Sequence, residues 1–351
     1  MTSVYVKDQG ATVRKRGERL VISKQGQTLD EYPMNLVSQV IIMGNVQVTT
    51  QTMVDLVQRQ VDVVFMSSFG KFRLRLEADN SGHVQLRQKQ LQQRDQGTLP
   101  LLVAKAIVDG KIHNQRVILQ RQARRLEAGG RDNGPVYVRD RGLFERSLTG
   151  MMQMQRDAGQ AANLDSLRGY EGRAAAYYFG AIRTLLDRSW GFERREFHPP
   201  PDPFNALLSF AYSLLLKDVR AAVQTVGLDV FMGFFHEAAP GRPSLALDLM
   251  EEWRPLIADA LCLELVNRGS LRPEEFVRSN GREHAIELGE AGVTRVLQAY
   301  GSRLSSRMQH PLAGAPPGGE TTLQNALLLQ AQLLARVIKG EAPAYEAMHA
   351  R

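Results

Sequence analysis

The stretch KFRLRLEADNSGH, residues 71–83, changes character at its midpoint. Its first six residues alternate charged and apolar side chains, which predicts a strand with Phe72, Leu74 and Leu76 toward a core and Lys71, Arg73 and Arg75 toward water. From Glu77 to His83 the chain turns to Asp, Asn, Ser and Gly, the residues that close turns, so the β pattern ends there. Upstream, VSQVIIMGNVQV (37–48) is rich in β-branched residues and VDVVF (61–65) is a short apolar run. Between them, residues 50–60 read as a short helix capped by Thr49 or Thr50.

Downstream of about residue 97 the period becomes helical, with runs at 99–109, 114–126, 167–186, 203–217 and 245–267. Gly- and Pro-rich interruptions separate them at 129–135, 197–203 and 310–319, the last expected to be mobile. The chain therefore reads as α+β: a strand-rich N-terminal domain over residues 1–80, a linker at 81–97 and a larger all-α domain over 98–351.

The 351 residues, 43% of them hydrophobic, suffice for two cores. No leader-like apolar run follows the basic residues near the start, and the longest apolar stretch, 207–216, is broken by Ser209 and Ser213. A cytoplasmic protein outside the membrane is expected. The single cysteine, Cys262, excludes an internal disulfide and a thiolate metal cluster, leaving nitrogen and oxygen ligands for any metal. Gly-x-Ser-x-Gly, Walker-type and strand-linked Gly-x-Gly-x-x-Gly motifs are missing, which removes support for hydrolase, NTPase and dehydrogenase readings.

Forty-four basic against 37 acidic residues give a net charge of +7. Residues 84–125 alone carry nine basic side chains against Asp95 and Asp109. Charge alone leaves open a solvated helix face or a polyanion-binding surface. Arg121, Arg124 and Arg125, set among Asn114, Gln115, Gln120 and Gln122, suit phosphate contacts better than internal pairing.

Candidate chemistry centres on GFFHEAAPGRPSLALDLMEEWRP, residues 233–255. Ser244 is the expected cap of a helix reaching Trp253, on which Asp248 and Glu251 lie about 60° apart on one face. His236 precedes them by 12 and 15 residues, across a loop able to fold it back over the first helical turns. In a second helix, Glu171 shares a face with Ala175, Tyr178 and Ile182, so an acid heads an apolar stripe. Gly169, Gly172 and Gly180 are expected to keep that helix thin for a close neighbour. An ionised carboxylate there needs a partner, either an arginine such as Arg173 or Arg183 or a metal. Two or three carboxylates with one imidazole form a hard site that suits Mg²⁺ or Mn²⁺. His198 and His310, beside prolines, read as surface or helix-entry residues.

In order, GYEG (169–172), PPDPFNALLSFAY (200–212), GFFH (233–236) and SLALDLMEEWRP (244–255) resemble the universal CRISPR-associated integrase of spacer acquisition. KIHNQ (111–115) and the early strands with Gly44 and Gly70 extend the resemblance over nearly the whole chain. It implies a β-sandwich-like first domain and a helical catalytic domain. It also implies a metal site on Glu171, His236 and Glu251, with Asp248 in support, and places Asn205 and Tyr212 facing DNA. The implied reaction is metal-dependent strand transfer, in which the 3′-hydroxyl of a foreign DNA fragment attacks a phosphodiester at the edge of a CRISPR repeat. Implied partners are double-stranded DNA, a second copy of the chain and a small ferredoxin-like protein of the adaptation complex. The alternatives are a standalone metal-dependent DNA nuclease of repair or branched intermediates, and a non-catalytic DNA-binding scaffold.

Overall fold

The computed structural model describes residues 2–68, 70, 72–76, 83–129, 138–196, 199–278, 285–314 and 318–350. The chain divides into two compact units, Met1–Gly82 and His83–Arg351.

The first unit holds two four-stranded sheets. In one, β1 (Thr2–Val6) and β7 (Asp62–Met66) flank β5 (Val37–Met43) in parallel, and β8 (Phe72–Leu76) adds antiparallel to β7. The other runs β4 (Gln27–Pro33), β3 (Arg19–Lys24), β2 (Thr12–Arg16) and β6 (Gln47–Val48). Val4, Val13, Leu20, Ile22, Val40, Ile42 and Val63, drawn from both sheets, share one core. β5 is central, with parallel neighbours on both sides, and is buried on both faces; this is why residues 37–43 read as a continuous apolar run rather than an alternation. The β3–β4 hairpin turns through Gln25 (φ 50°) and Gly26 (φ 83°), the two left-handed residues that match the twist of tight hairpins. Helix α1 (Thr50–Gln58) leads from β6 to β7; Thr49 stands at its N-cap position, but its hydroxyl pairs with the Thr52 hydroxyl rather than a helix N–H.

The strict alternation expected over 71–76 is only partly met. Leu74 is 47% exposed, whereas Arg75 turns to Asp62 at 2.5 Å. The β7–β8 register shifts there, Phe65 facing Leu74 and Met66 facing Phe72 with Arg73 skipped, and β8 is an edge strand with only one neighbour to enforce its pleat. Lys71 and the turn residues 77–82 lie outside the described residues.

The second unit is mainly helical: α2 (Val84–Gln96), α3 (Leu99–Gly129), α4 (Arg141–Gly159), α5 (Leu164–Leu185), α6 (Pro203–Val226), α7 (Ser244–Met250), α8 (Ala260–Asn267), α9 (Glu290–Ser305) and α10 (Leu323–Lys339). Most of the segment read as a linker is helix α2, with Leu86 buried and Gln90 bonded to Asp229 and Met232. The two runs at 99–109 and 114–126 are one helix, α3, continuing through Gly110. The unit is not all-α: β9 (Phe276–Arg278) pairs with β10 (Ile286–Leu288), and β11 (Arg307–Gln309) with β12 (Glu320–Thr322). The second ribbon pins most of the segment expected to be mobile, with His310 N bonded to Gly319 O; residues 315–317 lie outside the described ones, as do 130–135 of the earlier interruption.

The thin-helix expectation moves to a different glycine. Gly169 and Gly172 face open space, and it is Gly150 of α4 against which the Tyr177 ring of α5 packs, within 2.6 Å of where a Cβ would lie. α6 starts on Asp202, whose carboxylate accepts from Asn205 N at 2.8 Å and Asn205 Nδ2 at 2.6 Å, with Pro203 in the first turn. Asp202→Ala removes that cap and is expected to cost about 1–2 kcal/mol in urea unfolding.

Candidate active site

Four segments of the helical unit converge. α3 brings Lys111, α5 brings Glu171, the loop after α6 brings His236, and α7 with the turn beyond it brings Asp248, Glu251 and Arg254. α7 stops at Met250, sooner than expected, and residues 254–259 form a π-helical turn. Pro255 lacks the N–H that a continuing α-helix needs there. Ser244 does not cap the helix with its side chain; its hydroxyl donates to Glu237 O and ties down the loop.

Asp248 is fully buried and organises that loop. Its carboxylate accepts from the backbone N–H groups of Phe234 (2.6 Å), Phe235 (2.9 Å) and His236 (2.8 Å), and pairs with His236 Nδ1 at 2.7 Å. Gly233 is required at the start of this wrap, because a Cβ there would sit 2.7 Å from Asp248 Oδ2. With Nδ1 committed to Asp248, the other ring nitrogen of His236 points toward Glu251, Nε2 to Oε1 being 3.7 Å.

Glu171 and Glu251 meet at Lys111. Its ammonium lies 2.5 Å from Glu171 Oε1 and 2.6 Å from Glu251 Oε2. Arg254 adds a contact to Glu251 Oε1 at 3.3 Å and lays its guanidinium over the Tyr212 ring at 4.9 Å. Burial would raise the Glu251 pKa, but Arg254, Lys111 and His236 outweigh it and hold the carboxyl at about 2. Burial would likewise lower Lys111, and the two carboxylates raise it instead. An open cleft of about 410 Å³ adjoins His236, with Arg94 and Arg168 on its walls.

In chemical kind, carboxylate oxygens beside an imidazole are the donors that a hard divalent cation takes. Two carboxylates from different helices already serve one positive charge, the Lys111 ammonium standing where a shared cation would be held. Glu251 Oε2, although 2.6 Å from that ammonium, lacks a well-aligned hydrogen bond and keeps acceptor capacity. Among the described residues, no group of three or more His, Cys, Asp or Glu side chains is arranged so that it could hold a metal ion. Of the two pairings left open for Glu171, neither arginine is the partner found: Arg183 pairs with Glu193, and Glu171 with Lys111.

Sequence reasoning missed Lys111 and Arg254 as members of this cluster. A signal existed: Lys111 sits between Ile107, Val108 and Ile112, all fully buried, so a charge was placed on the inner face of α3. Asn205 and Tyr212 require correction. Asn205 is fully buried, accepting from Arg195 Nη1 and Glu196 N and donating to Arg194 O, so it builds the start of α6 rather than a DNA-facing surface. The Tyr212 hydroxyl donates to Asp259 at 2.6 Å, and its ring is flanked by Arg195 and Arg254. His310 is buried rather than at the surface, its Nδ1 accepting from Leu312 N; His198 lies outside the described residues. Arg124 and Arg125 are exposed and Arg121 is half-buried; burial and the adjacent Arg125 and Arg124 lower the Arg121 pKa, the mark of crowded positive charge.

Beneath the cluster, Asp259 accepts from Tyr178 and Tyr212, yet burial pushes its pKa up to about 6. A raised acid stabilises the fold below its unfolded pKa of about 3.9 and loses that contribution as pH rises through about 6. Asp259→Asn keeps groups able to bond both tyrosines and cannot ionise. Relative to wild type, its unfolding free energy is expected to gain about 1–2 kcal/mol between pH 5 and pH 8 in urea melts.

A model of the CRISPR associated protein Cas1 family matches residues 4–302. The chain belongs to that family. It is 37% identical over 351 residues to CRISPR-associated endonuclease Cas1 2 of Rhodospirillum rubrum, covering 98% of this chain and 97% of the relative. Two solved structures share its fold at 20% identity. A casposase bound to integration product has a TM-score of 0.81 over 99% of this chain and 93% of that one. A Cas6-RT-Cas1--Cas2 complex has a TM-score of 0.80 over all of this chain, which spans 36% of that longer chain. Among the described residues, no helix is long and apolar enough to cross a membrane.

Proposed function

We propose that this chain is the DNA endonuclease and integrase of CRISPR adaptation, joining the 3′-hydroxyl of a foreign DNA fragment to a repeat phosphodiester. Glu171, His236 and Glu251 would hold a divalent cation, Mg²⁺ or Mn²⁺, with Asp248 in support. The observation that carries this is the convergence of Glu171 and Glu251, from separate helices, on one cationic centre beside a histidine. The bound cation would supply Lewis-acid polarisation of a phosphodiester oxygen. Asp248 accepts a hydrogen bond from His236 Nδ1, which turns Nε2 toward Glu251. Arg254 and Lys111 keep Glu251 ionised at all working pH values. Lys111, held between the two acids, balances their charge until a cation takes those oxygens.

Double-stranded DNA would lie across this helical unit, the catalytic domain of a chain whose first domain is β-sandwich-like, with Arg121, Arg124 and Arg125 as phosphate contacts. A second copy of the chain and a small ferredoxin-like partner complete the assembly, which works in the cytoplasm. The likeness to chains described as an integration-product complex and a Cas1--Cas2 complex supports both the reaction and the partner.

The test is joining of a labelled duplex with free 3′-hydroxyls to a supercoiled plasmid carrying a repeat, with the partner protein and Mn²⁺ or Mg²⁺. Covalent joining that Glu171→Ala and His236→Ala abolish supports the reading. Nicking without joining would favour a standalone nuclease, and neither activity with any metal would leave only a DNA-binding scaffold.

A further inference from the structure

α3 addresses the turn after α7 at two points one helical turn apart. Lys111 meets the Glu251 side chain, and Asn114 reaches the backbone next to it, Nδ2 donating to Glu252 O at 2.9 Å. Asn114 is fully buried, and its remaining capacity goes to a segment far away in sequence: Nδ2 also donates to Met348 O at 2.7 Å, and Oδ1 accepts from Ala350 N at 2.8 Å. That segment, Tyr345–Ala350, grips Glu252 from the other side. The Tyr345 hydroxyl donates to Oε1 at 2.6 Å and Met348 N to Oε2 at 2.6 Å.

The fit is close along the whole contact. A Cβ on Gly110 would lie 2.5 Å from Ala347 Cβ, so this helix position has room for glycine alone. The His113 and His349 rings stack with centroids 4.5 Å apart. Of the groups that bond Glu252, α3 and this strap thus supply three, Asn114 Nδ2, the Tyr345 hydroxyl and Met348 N, and Gln330 Nε2 of α10 adds longer contacts to the same carboxyl at 3.2 and 3.4 Å.

We propose that Asn114 and the strap Tyr345–Ala350 are positioning elements that hold the backbone at Glu252 and thereby aim the Glu251 carboxylate. The inference rests on the reading of Glu251 as a cation ligand. A buried backbone carbonyl held by an amide, flanked by a carboxylate held on both oxygens, has little freedom to rotate, and the side chain one residue earlier inherits that restraint. Partners that orient a ligand without touching the cation are typically worth about 10- to 100-fold in metal affinity or activity.

The experiment uses the full chain as Asn114→Ala, Tyr345→Phe and Gly110→Ala, with Glu251→Gln as a control for the underlying reading. Mn²⁺ binding is measured by the electron paramagnetic resonance of the free ion, and fold by thermal melting and amide exchange over residues 248–254. Gly110→Ala is the most discriminating variant, since alanine favours a helix over glycine but drives Ala347 away. Asn114→Ala and Gly110→Ala are expected to weaken Mn²⁺ binding about tenfold and to speed exchange over 248–254, with melting still cooperative. Should Asn114→Ala not fold, Tyr345→Phe, which deletes one hydroxyl, carries the test with a severalfold loss. Unchanged Mn²⁺ affinity in the folded variants, with Glu251→Gln defective, overturns the positioning role alone. Undiminished binding by Glu251→Gln overturns the ligand assignment, and the positioning role with it.

Discussion

Strand joining by the Glu251→Gln variant is expected to fall at least about a hundredfold, with the chain still folded. Glutamine keeps the shape of the side chain but gives up its charge, and that charge is what Lys111, Arg254 and His236 are arranged around. Lys111 retains Glu171 as a partner, so the ammonium is not stranded. Asp248→Asn should behave differently. Its carboxylate accepts four hydrogen bonds, three of them from backbone N–H groups, and an amide must turn one donor toward another donor. The loop bearing His236 would loosen, costing roughly tenfold in joining and raising the Mn²⁺ concentration needed. A gel assay of labelled product over a Mn²⁺ series separates the two. Abolition by Asp248→Asn with only a mild effect of Glu251→Gln would exchange their roles.

The uneven legibility of this site has physical reasons. Glu171 stands out in the sequence because it heads an apolar stripe, Asp248 and Glu251 because they share one face of a leucine-rich helix, and His236 because a short loop separates it from them. The folding back of His236 onto Asp248 was readable from a loop of the right length. Lys111 was overlooked: lysine is usually solvated, and the surrounding excess of positive charge supplied a surface explanation that masked its place among the apolar residues Ile107, Val108 and Ile112. Asn205 was misread for the related reason that a helix-start asparagine and a DNA-contacting one look alike until its partners, Asp202 and the residues 194–196, are placed. The Tyr345–Ala350 strap could not be seen at all, since its contacts with Glu252 span more than 90 residues and follow no period.

In the strand-rich unit, central β5 and β7 were evident from their apolar runs and edge strand β8 from its alternation, whereas β4 was not. β4 is largely exposed and so carries no hydrophobic pattern to detect. The same lack of an enforcing neighbour explains β8, where pattern and burial disagree at Leu74. Helix boundaries failed where glycine was taken as punctuation. Gly110 lies inside α3 because the strap occupies the space a side chain would need, and that is a tertiary cause.

Lys111→Met should produce the largest loss of stability, about 3–5 kcal/mol near pH 7, or roughly 10 °C in melting temperature. Methionine fills similar volume, so the effect isolates the charge. Without the ammonium, two carboxylates face each other in a site where the Glu251 side chain is 3% exposed. In the wild type, the depressed Glu251 pKa stabilises the fold above its ordinary value of 4.5, and about 3 kcal/mol of that is lost as pH falls through about 2. Losing Lys111 raises that pKa, so the acid limb of the variant's stability curve should begin at higher pH. A divalent cation can then take the vacated role. Mn²⁺ at millimolar concentration is expected to raise the melting temperature of Lys111→Met by several degrees more than that of wild type, where it must compete with the ammonium for the same oxygens. Equal Mn²⁺ responses in the two proteins would mean that Glu171 and Glu251 do not share a cation, and that their meeting at Lys111 is an ion-paired core contact rather than the centre of an active site.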